Sequence, residues 1–110
     1  MSAVGDVTVL DLAGDFWGKP DEVSMFQDTI ERLANGGKVH VVINLAGVNI
    51  MNSTGIGMII AAFRTFREKG GGLVIAEPSE SMRSVINIQR WPLGIYDTVD
   101  KAVESFSTTA

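Results

Sequence analysis

The chain has one histidine, His40, and no cysteine. A serine nucleophile activated by an imidazole would therefore have to use His40, with Ser53 as its candidate partner. His40 lies in the strand-like run Val39–Val42, and no motif ties a hydroxyl or a carboxylate to it. We predict a strand histidine near a sheet edge or under a helix. A hydrolase using Ser53 and His40 is the least favoured of three functional hypotheses.

The composition excludes several other chemistries. Without cysteine there can be no disulfide, thiolate zinc site, iron–sulfur cluster or cysteine nucleophile, and one histidine excludes a multi-histidine metal site within one chain. The formal net charge is −4, and the nine Lys and Arg are scattered along the sequence. A nucleic-acid binder or a polybasic membrane anchor would need clustered basic residues. We predict no catalytic residue, metal, cofactor, nucleic-acid partner or direct membrane insertion.

Ser53 is the most informative residue, because the helix that follows it carries no charge until Arg64. No charged residue occurs between Gly47 and Arg64. With Ile56 at the centre of the inward face, the same side carries Ile59, Ile60, Phe63 and Phe66, and the outward face carries Thr54, Met58, Ala61 and Thr65. Small residues and methionine are typical of adaptable docking surfaces. We predict an exposed docking face that begins at Ser53; the alternative is that another part of the chain covers it.

Ser53 is predicted to be the N-cap of this helix. A helix N-terminus favours negative charge, so phosphorylation there would add about −1.5 to −2 charges without unfolding the helix. The expected result is a switch of binding rather than of folding. Most helix-capping serines are only caps. The physical argument alone therefore leaves open whether Ser53 is phosphorylated or only caps the helix.

These residues must be positioned by alternating strands and helices. Strands are predicted at Val7–Leu12, Phe16–Trp17, Val39–Leu45, Leu73–Ala76 and Ile95–Tyr96, and the first two could form a hairpin. Helices are predicted from Pro20 to Asn35, from Thr54 to Lys69, from a Ser79 cap to Gln89, and from a Thr98 cap through Phe106. The order β-β-α-β-α-β-α-β-α indicates an α/β fold with a largely parallel sheet.

The chain has 110 residues, the length of one ordinary domain. We therefore predict a single domain over residues 1–110, with residues 107–110 frayed. The N-terminal residues lack the basic and apolar regions of a signal peptide. The least polar stretch, Val48 to Phe63, is too short and too polar to cross a membrane. A cytoplasmic location is expected.

The segments Val41–Val48, Ile50–Gly57 and Leu73–Ala76, with Lys69-Gly70-Gly71, resemble the STAS domain family in its stand-alone form, the bacterial anti-sigma factor antagonists. The closing segment Tyr96–Ala102 also fits this family. The resemblance implies a STAS-type mixed, largely parallel β-sheet with helices and a non-enzymatic phosphoprotein that regulates transcription by partner switching.

The same resemblance implies the partners and the site. Ser53 occupies the position of the phosphorylated serine; an anti-sigma factor with serine kinase activity is the binding partner and the kinase, and a PP2C-type phosphatase resets the serine. Binding the kinase releases the sigma factor. The predicted partner-binding residues are Asn52, Ser53, Thr54, Gly55, Met58 and Ala61.

Two residues depart from the family pattern. The residue before the serine is usually Asp and here is Asn52, and the strand end, often Asp, is Asn44. If a kinase uses the charge before the serine, Ser53 would be a poor substrate. The second hypothesis is therefore an unphosphorylated STAS subunit that docks on a transporter or an ABC-type lipid-transport complex.

Overall fold

The computed structural model describes residues 1–14, 19–49 and 51–107. It contains, in chain order, β1 (Ser2–Val4), β2 (Val7–Ala13), α1 (Pro20–Asn35), β3 (His40–Gly47), α2 (Ser53–Glu68), β4 (Gly72–Ala76), α3 (Glu80–Gln89), β5 (Ile95–Tyr96) and α4 (Val99–Ser105). The predicted order α-β-α-β-α-β-α is confirmed from α1 onward, and β2 corresponds to the predicted first strand. Most bounds lie within one or two residues of those predicted from the sequence.

The five strands form one sheet in the order β1-β2-β3-β4-β5. β1 pairs antiparallel with β2, and the remaining neighbours are parallel. The helices that follow β2, β3 and β4 return the chain to the start of the next parallel strand. The prediction of a mixed, largely parallel sheet is confirmed.

The first hairpin of the described structure was not predicted from the sequence. The observed hairpin joins β1 to β2 through Gly5, which has φ +60° and thus uses the left-handed region that glycine tolerates. Ser2–Val4 is too short and too little apolar to stand out as a strand in the sequence. The predicted strand Phe16–Trp17 lies outside the described residues.

The sheet is covered on both faces. One face packs against α1, α2 and α3, while the other carries a smaller cluster around Ala102 of α4. The core of β3 (Val41, Val42 and Ile43) is completely buried, as a strand covered on both sides should be. The site described below follows directly from the carboxyl end of this central strand.

Gly71 explains the glycine run before β4. A Cβ atom at Gly71 would lie 2.0 Å from the carbonyl oxygen of Val39, so no other residue fits this close approach of the chain to the start of β3. Gly70 has φ +84° directly after α2 ends. The run therefore ends a helix and packs two chain segments together, and it does not open a helix as a phosphate-binding loop would.

Candidate functional site

The connection between β3 and α2 is anchored by apolar side chains. Val48 and Met51 are both buried in the main core. The amide of Val48 donates to the carbonyl of Leu45 at 3.0 Å, which turns the chain immediately after the strand. Asn52 and Ser53 are thereby held at the carboxyl edge of the sheet, where parallel strands end together and ligands commonly bind.

Asn52, and not Ser53, is the N-cap of α2. Its side-chain Oδ1 accepts a hydrogen bond from the amide of Gly55 at 3.0 Å, and its carbonyl accepts from the amide of Ile56 at 3.0 Å. The prediction that Ser53 caps the helix was wrong, because the helix begins one residue earlier than expected. Asn and Ser are nearly equal as N-caps, so the sequence did not distinguish the two positions.

Ser53 is consequently the first residue of α2, and its side chain is exposed together with that of Thr54. The first turn contains no acidic residue. An anion on the Ser53 hydroxyl would lie beside the amide groups that start the helix, where the helix dipole stabilises negative charge by about 0.3–1 kcal/mol. The geometry suits a modifiable hydroxyl whose modification leaves the Asn52 cap in place.

The outward face of α2 is narrower than predicted. Met58 is 9% exposed and belongs to the main core. Gly55 is also buried, while Thr54, Gly57 and Ala61 are exposed. The prediction of Met58 as an exposed docking residue was wrong because α1 packs beside α2, so α2 is buried by the sheet and by a neighbouring helix.

A groove of about 510 Å³ remains between these two helices. From α2 it is lined by uncharged residues, namely Thr54, Gly57, Met58, Ala61, Ala62 and Thr65; α1 contributes Phe26, Gln27, Ile30 and Glu31. The groove therefore begins in the first turn of α2, one residue from Ser53. It joins the exposed predicted residues Thr54 and Ala61 into one concave surface, with Met58 as part of its floor.

Asn44 has a structural role that its family position did not suggest. Its Nδ2 donates to Oδ1 of Asp11 at 2.9 Å, and its Oδ1 accepts from the amide of Ala46 at 3.0 Å. An ionised aspartate could make the second bond but could not donate the first. The asparagine therefore links the ends of β2 and β3, and it avoids placing two carboxylates next to each other.

His40 lies far from Ser53. It is the first residue of β3, and its ring packs against Phe106 with 5.1 Å between the ring centroids. β3 is eight residues long, which at about 3.3 Å per residue puts its ends about 23 Å apart. Ser53 follows the opposite end, so the arrangement does not form a nucleophile–base pair. The histidine packs against the C-cap residue of α4, which fits the predicted position under a helix, and its strand is central and not at an edge.

Residues 1–14, 19–49 and 51–107 contain no cluster of three or more His, Cys, Asp or Glu side chains that could hold a metal ion. Within the same ranges, no helix is long and apolar enough to cross a membrane.

The STAS domain model matches residues 3–102, which is most of the chain. The chain belongs to the STAS domain family. No curated protein sequence is significantly similar to it.

Solved structures support the same fold. A candidate anti-sigma factor antagonist from Thermotoga maritima is 21% identical, with a TM-score of 0.87 over 96% of this chain and 92% of that one. SpoIIAA, an anti-sigma factor antagonist, in its unphosphorylated form is 17% identical, with a TM-score of 0.77 over 100% and 96% of the two chains. A sulfate transporter family protein from Wolinella succinogenes is 14% identical, with a TM-score of 0.77 over 97% and 89%. At these identities the similarity defines the fold of this STAS domain and leaves its partner open.

Proposed function

We propose that this STAS domain is a non-enzymatic anti-sigma factor antagonist, acting in the cytoplasm. Its partner is an anti-sigma factor with serine kinase activity, which docks on the first turns of α2 and thereby releases a sigma factor. Phosphorylation of Ser53 by that kinase ends the interaction, and a PP2C-type phosphatase restores it. Asn52, Ser53, Thr54 and Ala61 form the contact surface with Gly57, while Gly55 and Met58 support it from below.

The observation that carries this proposal is an exposed serine at the first position of α2, directly after a separate N-cap. Because Asn52 satisfies the amide of Gly55, the Ser53 hydroxyl is not the acceptor that holds the helix start. Phosphorylation therefore changes the charge of the surface and leaves its shape intact. Two of the similar solved structures are SpoIIAA in its unphosphorylated and phosphorylated forms, which supports a phosphorylation switch on this fold.

The charge distribution explains how a phosphate would end binding. The α2 side of the groove is uncharged up to Arg64, and Glu31 lies on the α1 side. A partner that covers this surface must remove water from it, and a phosphate desolvated without a cationic partner costs several kcal/mol. A loss of about 2.7 kcal/mol already weakens affinity about a hundredfold.

The test compares Ser53→Asp, Ser53→Ala and wild type by titration calorimetry against the anti-sigma factor kinase recovered from native extract. We expect Ser53→Asp to weaken binding about tenfold or more, which is about 1.4 kcal/mol. Ser53→Ala should bind like wild type and resist release by ATP. Ser81→Asp is the matched control, since Ser81 is an exposed serine in the first turn of α3; it adds the same charge away from the groove and should bind like wild type.

The second candidate function is an unphosphorylated docking subunit of a transporter or an ABC-type lipid-transport complex. It is favoured by Asn52 in place of the acidic residue and by the similarity to the sulfate transporter family protein. The same titration separates the two candidates. If Ser53→Asp binds its partner as tightly as wild type, and no phosphate is found on Ser53 in cells, the docking-subunit function replaces the switch.

A further inference from the structure

Among the described residues, no strand fills the position next to β1 at the edge of the sheet. β1 pairs with Val7–Val9, whereas β2 continues to Ala13. In the described part of the chain (residues 1–14, 19–49 and 51–107), no strand pairs with the outer edge of Leu10–Ala13. Backbone amides and carbonyls along such an edge are a template for an added strand.

A groove of about 460 Å³ follows this edge. On the sheet side it is lined by Leu10, Asp11, Leu12 and Ala13. Consecutive residues of a strand point to opposite faces, so four consecutive lining residues place the groove along the edge of β2 and not on one of its faces. Met1 closes one end, and α1 forms the wall with Glu22, Met25, Phe26 and Thr29.

The groove is lined by apolar side chains that are exposed to solvent in the isolated chain. Met1 and Met25 are 77% and 72% exposed, and both line it. Soluble domains rarely leave large apolar side chains grouped on their surface unless that surface binds a partner, and methionine adapts its shape to different partners. Two exposed methionines that line the same groove therefore indicate a binding surface, whereas a single exposed residue such as Ile88 does not.

The charge of the groove selects between possible occupants. Asp11 and Glu22 contribute two carboxylates against the one amino group of Met1, and none of the described lining residues is Lys or Arg. A second copy of this chain would bring the same two carboxylates against them, which opposes self-association. A partner segment that carries Lys or Arg would have complementary charge.

We propose that the outer edge of Leu10–Ala13 binds an extended segment of a partner protein in which aliphatic residues alternate with Lys or Arg. Backbone hydrogen bonds to β2 hold the segment, its aliphatic side chains pack against Leu12 and Met25 on the α1 side of the sheet, and its basic side chains approach Asp11 on the other face. α1 contributes Glu22, Met25 and Thr29 to this surface but Gln27, Ile30 and Glu31 to the α1–α2 groove, and Phe26 lines both. The proposal is independent of Ser53, so its failure would not affect the proposed switch.

The experiment is a two-dimensional ¹⁵N-NMR titration of the full chain with the peptide acetyl-Lys-Val-Lys-Val-Lys-amide. We expect chemical-shift changes at residues 10–13 and 22–29, with a dissociation constant of about 1 mM or lower. The peptide acetyl-Glu-Val-Glu-Val-Glu-amide has the same alternation and the opposite charge, and it should not bind. Binding should weaken as ionic strength rises from about 0.01 M to about 0.15 M, because the Debye length falls from about 30 Å to about 8 Å.

Variants locate the binding to the groove. Met25→Ser and Asp11→Asn should each weaken it about threefold or more, and the asparagine can still accept the hydrogen bond from Asn44. Ile88→Ser removes an 81% exposed aliphatic residue from α3 and serves as the control with no effect. Equal binding of both peptides, or loss of binding in Ile88→Ser, would overturn the proposal. So would a concentration-dependent dimer abolished by Met25→Ser, or nuclear Overhauser contacts in the free chain from the Met25 methyl to an aromatic ring of residues 15–18.

Discussion

At the scale of single residues, two asparagines define the site, and only one of them uses a property that an ionised aspartate lacks. Asn52 accepts from the amide of Gly55, which an aspartate could also do. Asn44 donates to Asp11 while accepting from Ala46, which an ionised aspartate could not do. The family often carries Asp at both positions, but replacement should therefore be tolerated at one and costly at the other.

Asn52→Asp should preserve the cap and add a favourable charge at the helix N-terminus, worth about 0.3–1 kcal/mol. We expect the free energy of unfolding to stay equal or rise, and the rate of Ser53 phosphorylation by the cognate kinase to increase. Asn52→Ala removes the cap and should cost about 1 kcal/mol. Urea denaturation and a phosphorylation assay measure the two effects. An unchanged or lower rate for Asn52→Asp would mean that this kinase is adapted to the asparagine.

Asn44→Asp should lower the free energy of unfolding by about 0.5–1.5 kcal/mol at neutral pH, because it replaces a hydrogen bond with two adjacent carboxylates. The neighbouring Asp11 should raise the pKa of the introduced carboxyl in the folded state. Its protonated form can again donate, so the loss is present above that raised pKa and diminishes as the pH falls through it. Denaturation at several pH values, with wild type in parallel, measures this recovery. A loss that is constant with pH would contradict the explanation.

At the scale of the elements, the sequence predicted the type and the caps of the helices and strands better than it predicted which neighbouring elements bury them. Local signals were sufficient for α3 and α4, whose caps Ser79 and Thr98 accept from the amides of Met82 and Lys101 as predicted. The inward stripe of α2 was predicted correctly at Ile56, Ile59 and Phe66, which are buried, whereas Ile60 and Phe63 are only half-buried. The burial of Met58 was not predictable, because it depends on where α1 lies, and no local pattern encodes the contact between two helices.

Met58 and Ala61 provide a test of that helix packing. Met58→Lys should cost about 3 kcal/mol or more, since loss of buried methionine packing alone costs about 2–5 kcal/mol and the new ammonium loses water. Ala61→Lys is exposed and should change stability by less than about 0.5 kcal/mol, while it weakens partner binding at the groove. Urea denaturation of both variants decides the point. Equal stability of the two would mean that α1 does not cover Met58.

At the scale of the whole molecule, the fold separates a packed core from the small surface around Ser53. The central strand β3 has apolar residues packed on both faces, and the Ser53 surface begins just beyond its carboxyl end. Interiors packed in this way resist small changes, so a charge added at the edge has little means of altering the core. Partner switching on this fold should therefore be a change of surface chemistry and not a transmitted change of conformation.

Amide hydrogen exchange tests this expectation across the chain. The amides of Val41, Val42 and Ile43 should exchange only through global unfolding, because these residues are completely buried, whereas the exposed edge strand β1 should open locally. In Ser53→Asp, altered protection should be confined to about residues 52–57, since the helix dipole acts within the first turn. Elsewhere the opening free energies should stay within about 0.5 kcal/mol of wild type. Changed protection in β3 or in α1 would instead mean that the charge at Ser53 alters the core, and release of the partner would then follow from a conformational change.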